Sequence, residues 1–412
     1  MSQDISQQAR FIRLLARRLH EYGAGSHRLE GAVKSVAERL NLHCEIFSTP
    51  TSVFLTFGGA ASGSDTEVDR PVSPAQLIRL NPGQVDLGRM CEVDALGEAV
   101  AGGQMSLEEG TQRLAQLECS APVFPLGVVL LAWGVVGFAV SALLGGDWSD
   151  MGLAFVLAAM TGTMTAFLKR LQDLGSFEPI AAFIVTSSAY LLSVPLGGAN
   201  VPVVVIGALI MLMPGLDLTV AMSELATRHL ASGTARFAGA LIGLAKLALG
   251  VVMATQVMTA LGFSANTESA DLIPDWIAWP AVLMSGVAFC VLFGAQVRHY
   301  AAVIVAAFLT YGVNFYASAQ TGPDVGIFLA ALTVAALSNL HSRLFNVPAS
   351  VTRLPAILLL VPGSLGYRAL TLLFSHNVDE GLTAAVSVVL VLAALVGGLL
   401  MGNTLVPPRR HL

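Results

Sequence analysis

The chain has 412 residues, 55% of them hydrophobic and only 12% charged, with a formal net charge of −5 and a mean hydropathy of +0.71. A soluble globular chain is about one quarter charged, so a wholly soluble protein is excluded, and the acidic balance excludes a basic nucleic-acid-binding surface. Four cysteines (Cys44, Cys91, Cys119, Cys290) form no CxxC pair and accompany no His-rich spacing, which predicts reduced thiols and neither a metal site nor a disulfide set.

The polar N-terminus, MSQDISQQAR, runs into an amphipathic stretch and predicts no signal peptide. Residues 1–121 read as an α+β domain. Phe11, Leu14, Leu15, Ala16 and Leu19, then Leu29, Val33, Val36, Ala37 and Leu40, recur at helical spacing on either side of Tyr22-Gly23-Ala24-Gly25. Ser26 is expected to cap the second helix, which makes Ser26, His27 and Glu30 a loop cap and a solvated first turn. Strands follow at 44–48, 52–57 and 76–80, with a polar loop over 58–70 and helices at 87–101 and 106–117. Catalysis is not expected of Ser26 and His27, because the chain holds no G-x-S-x-G elbow.

From residue 122 onward apolar runs alternate with short polar breaks. A spanning helix needs about 20 mostly apolar residues, and 122–144, 151–168, 177–196, 237–261, 276–293, 300–319, 325–340 and 382–405 meet that rule. Two further runs, 201–213 and 354–361, are too short and stop at Pro214-Gly215 and Pro362-Gly363. Each continues in a partly polar helical stretch, 216–230 and 365–374. Proline removes a backbone donor and glycine relaxes the chain, so each pair predicts a helix broken within or near the membrane. The alternative is a helix ending at the interface and continuing along the surface.

Lys169, Arg170, Arg228, Arg236, Arg298, Arg343 and Arg353 fall in alternate connections, while 145–150, 197–200, 262–275 and 320–324 hold no Lys or Arg. With Arg409 and Arg410 in the tail, the positive-inside rule predicts ten spans and cytoplasmic termini. The Pro-Gly pairs lie 362 − 214 = 148 residues apart, and the apolar runs repeat at nearly that offset. The fold class expected is therefore a polytopic α-helical membrane protein. It comprises two inverted five-helix repeats with Pro-Gly broken helices, at 122–262 and 276–405, an N-terminal cytoplasmic α+β domain and a tail at 406–412.

Polar groups at membrane depth are the candidate site. They are Asp217, Thr219, Ser223 and Glu224 around Pro214-Gly215, then Ser364, Tyr367 and Arg368 around Pro362-Gly363, together with Lys246. An ionisable group inside a bilayer normally faces a partner or a cavity. Snorkelling is the plain alternative for Lys246, and solvation at an interface for Asp217 and Glu224. Thr161, Thr163 and Thr165 are expected to serve helix packing.

Three segments carry a family likeness. HEYGAGSHRLEGAVKSVAERLNL with STPTSVFLTF resembles the N-terminal domain of the threonine/serine exporter family; MPGLDLTVAMSELATRHLASGTARFAGAL and PAILLLVPGSLGYRAL resemble its two Pro-Gly signatures. The family pattern falls on Gly23, Ser26, Arg28, Glu30, Thr49, Pro50 and Thr51, on Pro214, Gly215 and Ser223, and on Pro362, Gly363, Ser364 and Arg368. The resemblance implies a non-enzymatic, proton-motive-force-driven exporter of small hydroxy amino acids in a bacterial inner membrane. No cofactor is expected, and a homo-oligomer is compatible with the likeness. Relatives with separate halves imply dicarboxylates such as succinate as the alternative substrate. A membrane-embedded enzyme, or a sensor or assembly protein, completes the alternatives. In the exporter reading a helix N-terminus or Arg368 holds the substrate carboxylate, Asp217 or Glu224 its ammonium, and an intramembrane carboxylate or Lys246 the exchanged proton.

Overall fold

A computed structural model describes residues 3–58, 75–117, 123–266, 274–360 and 363–408. Pro362, Cys119, Arg409, Arg410 and most of the expected 58–70 loop lie outside the described residues. Near the N-terminus come α1 (Gln3–Glu21), α2 (Ser26–Arg39), β1 (His43–Thr49), β2 (Ser52–Gly58), β3 (Gln76–Arg79), α3 (Leu87–Ala101) and α4 (Leu107–Gln116). The strands form an antiparallel sheet in the order β1-β2-β3, and Thr49 pairs with Ser52 across the tight Pro50-Thr51 turn. Successive strand residues face opposite sides. Val53, Leu55 and Phe57 therefore enter one core with Phe11, Leu15 and Leu19 of α1, Leu29 and Val33 of α2, and Met90 and Val93 of α3. Asp86 and Ser106 start α3 and α4 by accepting from the amides of Arg89 and Glu109.

Beyond them run α5 (Leu126–Leu143), α6 (Trp148–Phe167), the short α7 (Lys169–Asp173), α8 (Phe177–Ser193), α9 (Val201–Leu209), α10 (Gly215–Ala226) and α11 (Leu230–Ala260). A second series follows: α12 (Ala278–Leu292), α13 (Tyr300–Thr321), α14 (Pro323–Phe345), α15 (Ser350–Ile357), α16 (Gly363–Phe374) and α17 (Val378–Leu405). Among the described residues seven helices are long and apolar enough to cross a membrane, or eight when the bent pair Val201–Leu212 and Gly215–Ala226 counts as one span. That is fewer than the ten spans expected, because α12 has only 15 residues and α15 only 8. Leu131, Val156, Ile242, Leu249, Val305 and Val389 point outward from these helices. Such apolar exposure is a liability in water and the ordinary state against lipid.

Helix α11 begins at Leu230 and α17 at Val378, several residues before the apolar runs expected at 237 and 382. Hydropathy registers only the apolar part of a helix, and the first turns carry Ser232 and Arg236, or Asp379 and Glu380. Small residues set the closest helix approaches. A Cβ on Gly250 of α11 would meet the Pro179 carbonyl and Ala182 of α8; one on Gly398 of α17 would meet the Phe328 carbonyl and Ala331 of α14. Gly137 of α5 packs likewise on Ala158 of α6, while Gly286 of α12 meets Ile304 and Ala307 of α13 at ordinary van der Waals distance. Helices α10 and α16 each lie against both long helices, α11 and α17.

Candidate functional site

At the first break α10 starts at Gly215, just after Pro214, and the chain turns by 55°. Helix α16 starts at Gly363, and these two starting points touch: a Cβ on Gly363 would lie 3.2 Å from Gly215 Cα. Breaks separated by 148 residues in sequence thus meet in space. Each helix start carries a partial positive charge, and the Gly215 amide itself donates to the Met213 carbonyl at 2.8 Å. A cavity of about 260 Å³ opens beside them, lined by Gly215, Gly363, Ser364, Met213, Tyr311 and Leu359.

From Gly215, one face of α10 leads to the α1–α4 unit. Leu216, Thr219, Ser223 and Thr227, at helical spacing, line a second cavity of about 100 Å³ together with Arg28 and Arg353. The hydroxyls of Thr219, Ser223 and Thr227 donate to the carbonyls of Gly215, Thr219 and Ser223, one turn back. Their oxygens remain acceptors, so they can receive an ammonium or a hydroxyl.

Glu224 is fully buried and saturated by protein donors. Its Oε1 accepts from the Ser26 amide at 2.8 Å, and its Oε2 from Ser232 Oγ at 2.9 Å and Arg236 Nε at 3.3 Å. Ser26 Oγ closes the ring on Ser232 Oγ at 2.7 Å. Arg236 also reaches the largely exposed Asp217 at 3.2 Å. The pairing with Arg236 and three hydrogen bonds to the carboxylate make this burial tolerable.

The α2 motif is therefore a joint. Ser26 is no cap: Gly25 precedes the helix without a side-chain bond, and Ser26 is 3% exposed. Nor does Glu30 face open solvent. Its Oε1 accepts from the Ser48 amide and hydroxyl at 2.7 and 3.1 Å, and its Oε2 meets His229 Nε2, between α10 and α11, at 3.3 Å. Burial, with Arg28 and His229 nearby, depresses the His27 pKa to about 3. His20 Nε2 lies 3.1 Å from the Pro50 carbonyl, which ties the Thr49-Pro50-Thr51 turn to α1. The unit also grips the second helix series, where the Leu87 amide donates to the Phe293 carbonyl at 2.8 Å.

The remaining candidates scatter. Lys246 pairs with Glu178 of α8 at 3.6 Å, and not with a break residue. Arg368 is exposed on α16, lines neither cavity and forms no ion pair among the described residues. Tyr367 packs into the apolar cluster with Leu218 and Leu244. The hydroxyls of Thr161, Thr163 and Thr165 donate to carbonyls of their own helix, one turn back. Sequence reasoning placed Arg353 in a basic connection, whereas it is buried, its Nη2 donating to Asn339 and Asn403 at 2.7 and 2.8 Å. It also passed over Asp150, which caps α6 with Asp147 and accepts from the Asn200 amide at 2.6 Å. No group of His, Cys, Asp and Glu suited to a metal occurs among the described residues.

Apolar helices, a bent break before α10 and a second short helix starting beside it define a multi-pass helical membrane protein. Two family models match it, one described as "Putative threonine/serine exporter" over residues 10–258 and one as threonine/serine exporter over residues 280–405. The chain belongs to the threonine/serine exporter family. Among curated proteins it is 25% identical over 370 residues to pheromone-regulated membrane protein 10 of Saccharomyces cerevisiae, covering 88% of this chain and 47% of the relative. An uncharacterized protein of Schizosaccharomyces pombe is 24% identical over 374 residues, covering 88% and 48%. The Kluyveromyces lactis pheromone-regulated membrane protein 10 is 24% identical over 367 residues, covering 87% and 38%. The chain thus spans half or less of the length of these relatives. No solved structure matches it.

Proposed function

We propose that the chain is a secondary exporter of small amino acids, L-threonine and L-serine foremost, driven by protons across a bacterial inner membrane. The meeting of Gly215 and Gly363 between two cavities carries this reading. Two half-helices that start beside one another form a deformable plug, and broken helices at a repeat interface are where many secondary transporters hold their cargo. Thr219 and Ser223 then receive the ammonium and hydroxyl of the substrate, Ser364 lines the cavity beside the plug, and Glu224 is the group available for the proton.

The proposed frame is ten crossings in two inverted five-helix halves, 122–262 and 276–405, with residues 1–121 and the 406–412 tail cytoplasmic. Internal distances support it. The glycine contacts recur at 363 − 215 = 148, 398 − 250 = 148 and 286 − 137 = 149 residues, and their alanine partners at 331 − 182 = 149 and 307 − 158 = 149. Five crossings per half turn the second copy upside down. The N-terminal unit, held by Ser26 to one half and by Leu87 to the other, then sits over the inner mouth and follows any rocking between halves.

Counterflow in proteoliposomes with labelled threonine, serine, alanine and succinate, with and without a pH gradient, tests the reading. Threonine and serine exchange faster than alanine, and the gradient drives accumulation. Protein-containing vesicles that exchange none of the four overturn the exporter assignment. Exchange of succinate alone moves the substrate to the dicarboxylates.

A further inference from the structure

The cavity between α2, α10, α15 and α17 has an unbalanced lining. Arg28, Arg353 and His27 are its titratable side chains, and neither Asp nor Glu lines it. Arg353 is only 5% exposed. Its protein partners are the neutral amide oxygens of Asn339 and Asn403, and its buried Nε has no hydrogen-bond partner. Arg28 makes no hydrogen bond or ion pair among the described residues, and burial holds its pKa down to about 10. Two carboxylates at the joint between the N-terminal unit and α10 are committed elsewhere: Glu224 to Ser26, Ser232 and Arg236, Glu30 to Ser48 and His229.

The buried Arg353 guanidinium without a counter-charge is costly, and the partly buried Arg28 in the same cavity repels it as well. A guanidinium presents paired donors that match a carboxylate. A space of about 100 Å³ admits a few waters or one small polar molecule. We propose that this cavity is a binding site for the carboxylate group of a small molecule, held jointly by Arg28 of the N-terminal unit and Arg353 of α15. The hydroxyls of Ser223 and Thr219 meet the remainder of the ligand. The proposal rests on the exporter reading in taking the bound molecule to be the transported one as it enters from the N-terminal side. It also makes the N-terminal unit part of the binding site, since one of the two arginines belongs to it.

The test is equilibrium binding to the full chain in detergent, with labelled threonine, serine and succinate and with inorganic phosphate as competitor. Succinate or the amino acids bind, and Arg28→Gln and Arg353→Gln each weaken them about tenfold or more. Should Arg353→Gln fail to fold, Asn403→Asp serves instead. The new carboxylate lies where the Asn403 oxygen already accepts from Arg353, so it replaces the ligand's charge. Anion affinity falls about tenfold or more while the melting temperature rises. Succinate above the amino acids identifies a site satisfied by two carboxylates, and phosphate competing equally well identifies a general anion site; either overturns the amino-acid ligand. Arg28→Gln and Asn403→Asp proteins that bind as the parent does, or no binding of any probe, overturn the site itself. Binding lost in these variants while the parent shows no flux leaves the site standing and removes the exporter reading. Flux with unaltered binding in the variants does the reverse.

Discussion

The Ser26 amide donates to the Glu224 carboxylate at 2.8 Å across 198 residues of sequence, and this bond fastens the N-terminal unit to the helix that follows the first break. Because Glu224 is fully buried and faces Arg236, Glu224→Ala strips a cation and two serines of their partner at once. Breaking one side of a buried pair costs about 3–5 kcal/mol, so the melting transition should drop sharply. Ser232→Ala, which removes one neutral donor, should cost about 1 kcal/mol. A double-mutant cycle between the two should show clear coupling, and strictly additive effects would mean that the ring does not act as a unit.

Gly363 faces Gly215 with room for hydrogen and little else. A Cβ there sits 3.2 Å from Gly215 Cα and 3.4 Å from Met213 Cβ, so neighbours must give by a few tenths of an ångström. Gly363→Ala should slow labelled-amino-acid efflux by about tenfold at normal expression, because strain of roughly 1–3 kcal/mol falls on the plug. Gly363→Val should stop it. Efflux from Gly363→Val at the parental rate would separate the contact from transport.

Lys246 and Glu178 form a half-buried pair, 35% and 33% exposed at 3.6 Å. A pair of this exposure contributes roughly 1 kcal/mol or less. Lys246→Met should lower stability slightly, and the exchanged pair Lys246→Glu with Glu178→Lys should recover it with pH-gradient-driven accumulation intact. Accumulation that no longer responds to the gradient in the exchanged protein would instead make Lys246 a proton carrier.

Local patterns carried much of the architecture. Helical spacing in Phe11–Leu19, alternation in Val53–Phe57 and the start signals at Asp86 and Ser106 are short-range and lie where the sequence predicts. The two Pro-Gly pairs were visible as interruptions, but their contact depends on how distant helices cross. Side chains serving such long-range contacts were misjudged for the same reason. Ser26 has the composition of a cap and Arg353 of a cytoplasmic loop, and their roles come from partners on other elements: Ser232 and Glu224 for one, Asn339 and Asn403 for the other. Arg368, the membrane-depth cation singled out by position, turns out to face outward.

His27 gives the joint a pH dependence whose sign follows from its burial beside Arg28, His229, Arg353 and Arg236, which depresses its pKa from 6.5 to about 3. Between those values the unfolded chain binds a proton that the folded chain refuses, so stability falls as pH falls. The contribution is complete above pH 6.5 and declines below it by at most about 1.4 kcal/mol per pH unit. His20, also lowered by burial, acts in the same direction. The melting temperature should therefore drop between pH 7 and pH 5, and His27→Asn should flatten that drop while retaining a polar ring substitute beside Gly25. A His27→Asn protein whose melting temperature falls with acid as steeply as the parent's would show that the imidazole is protonated without penalty in the folded joint.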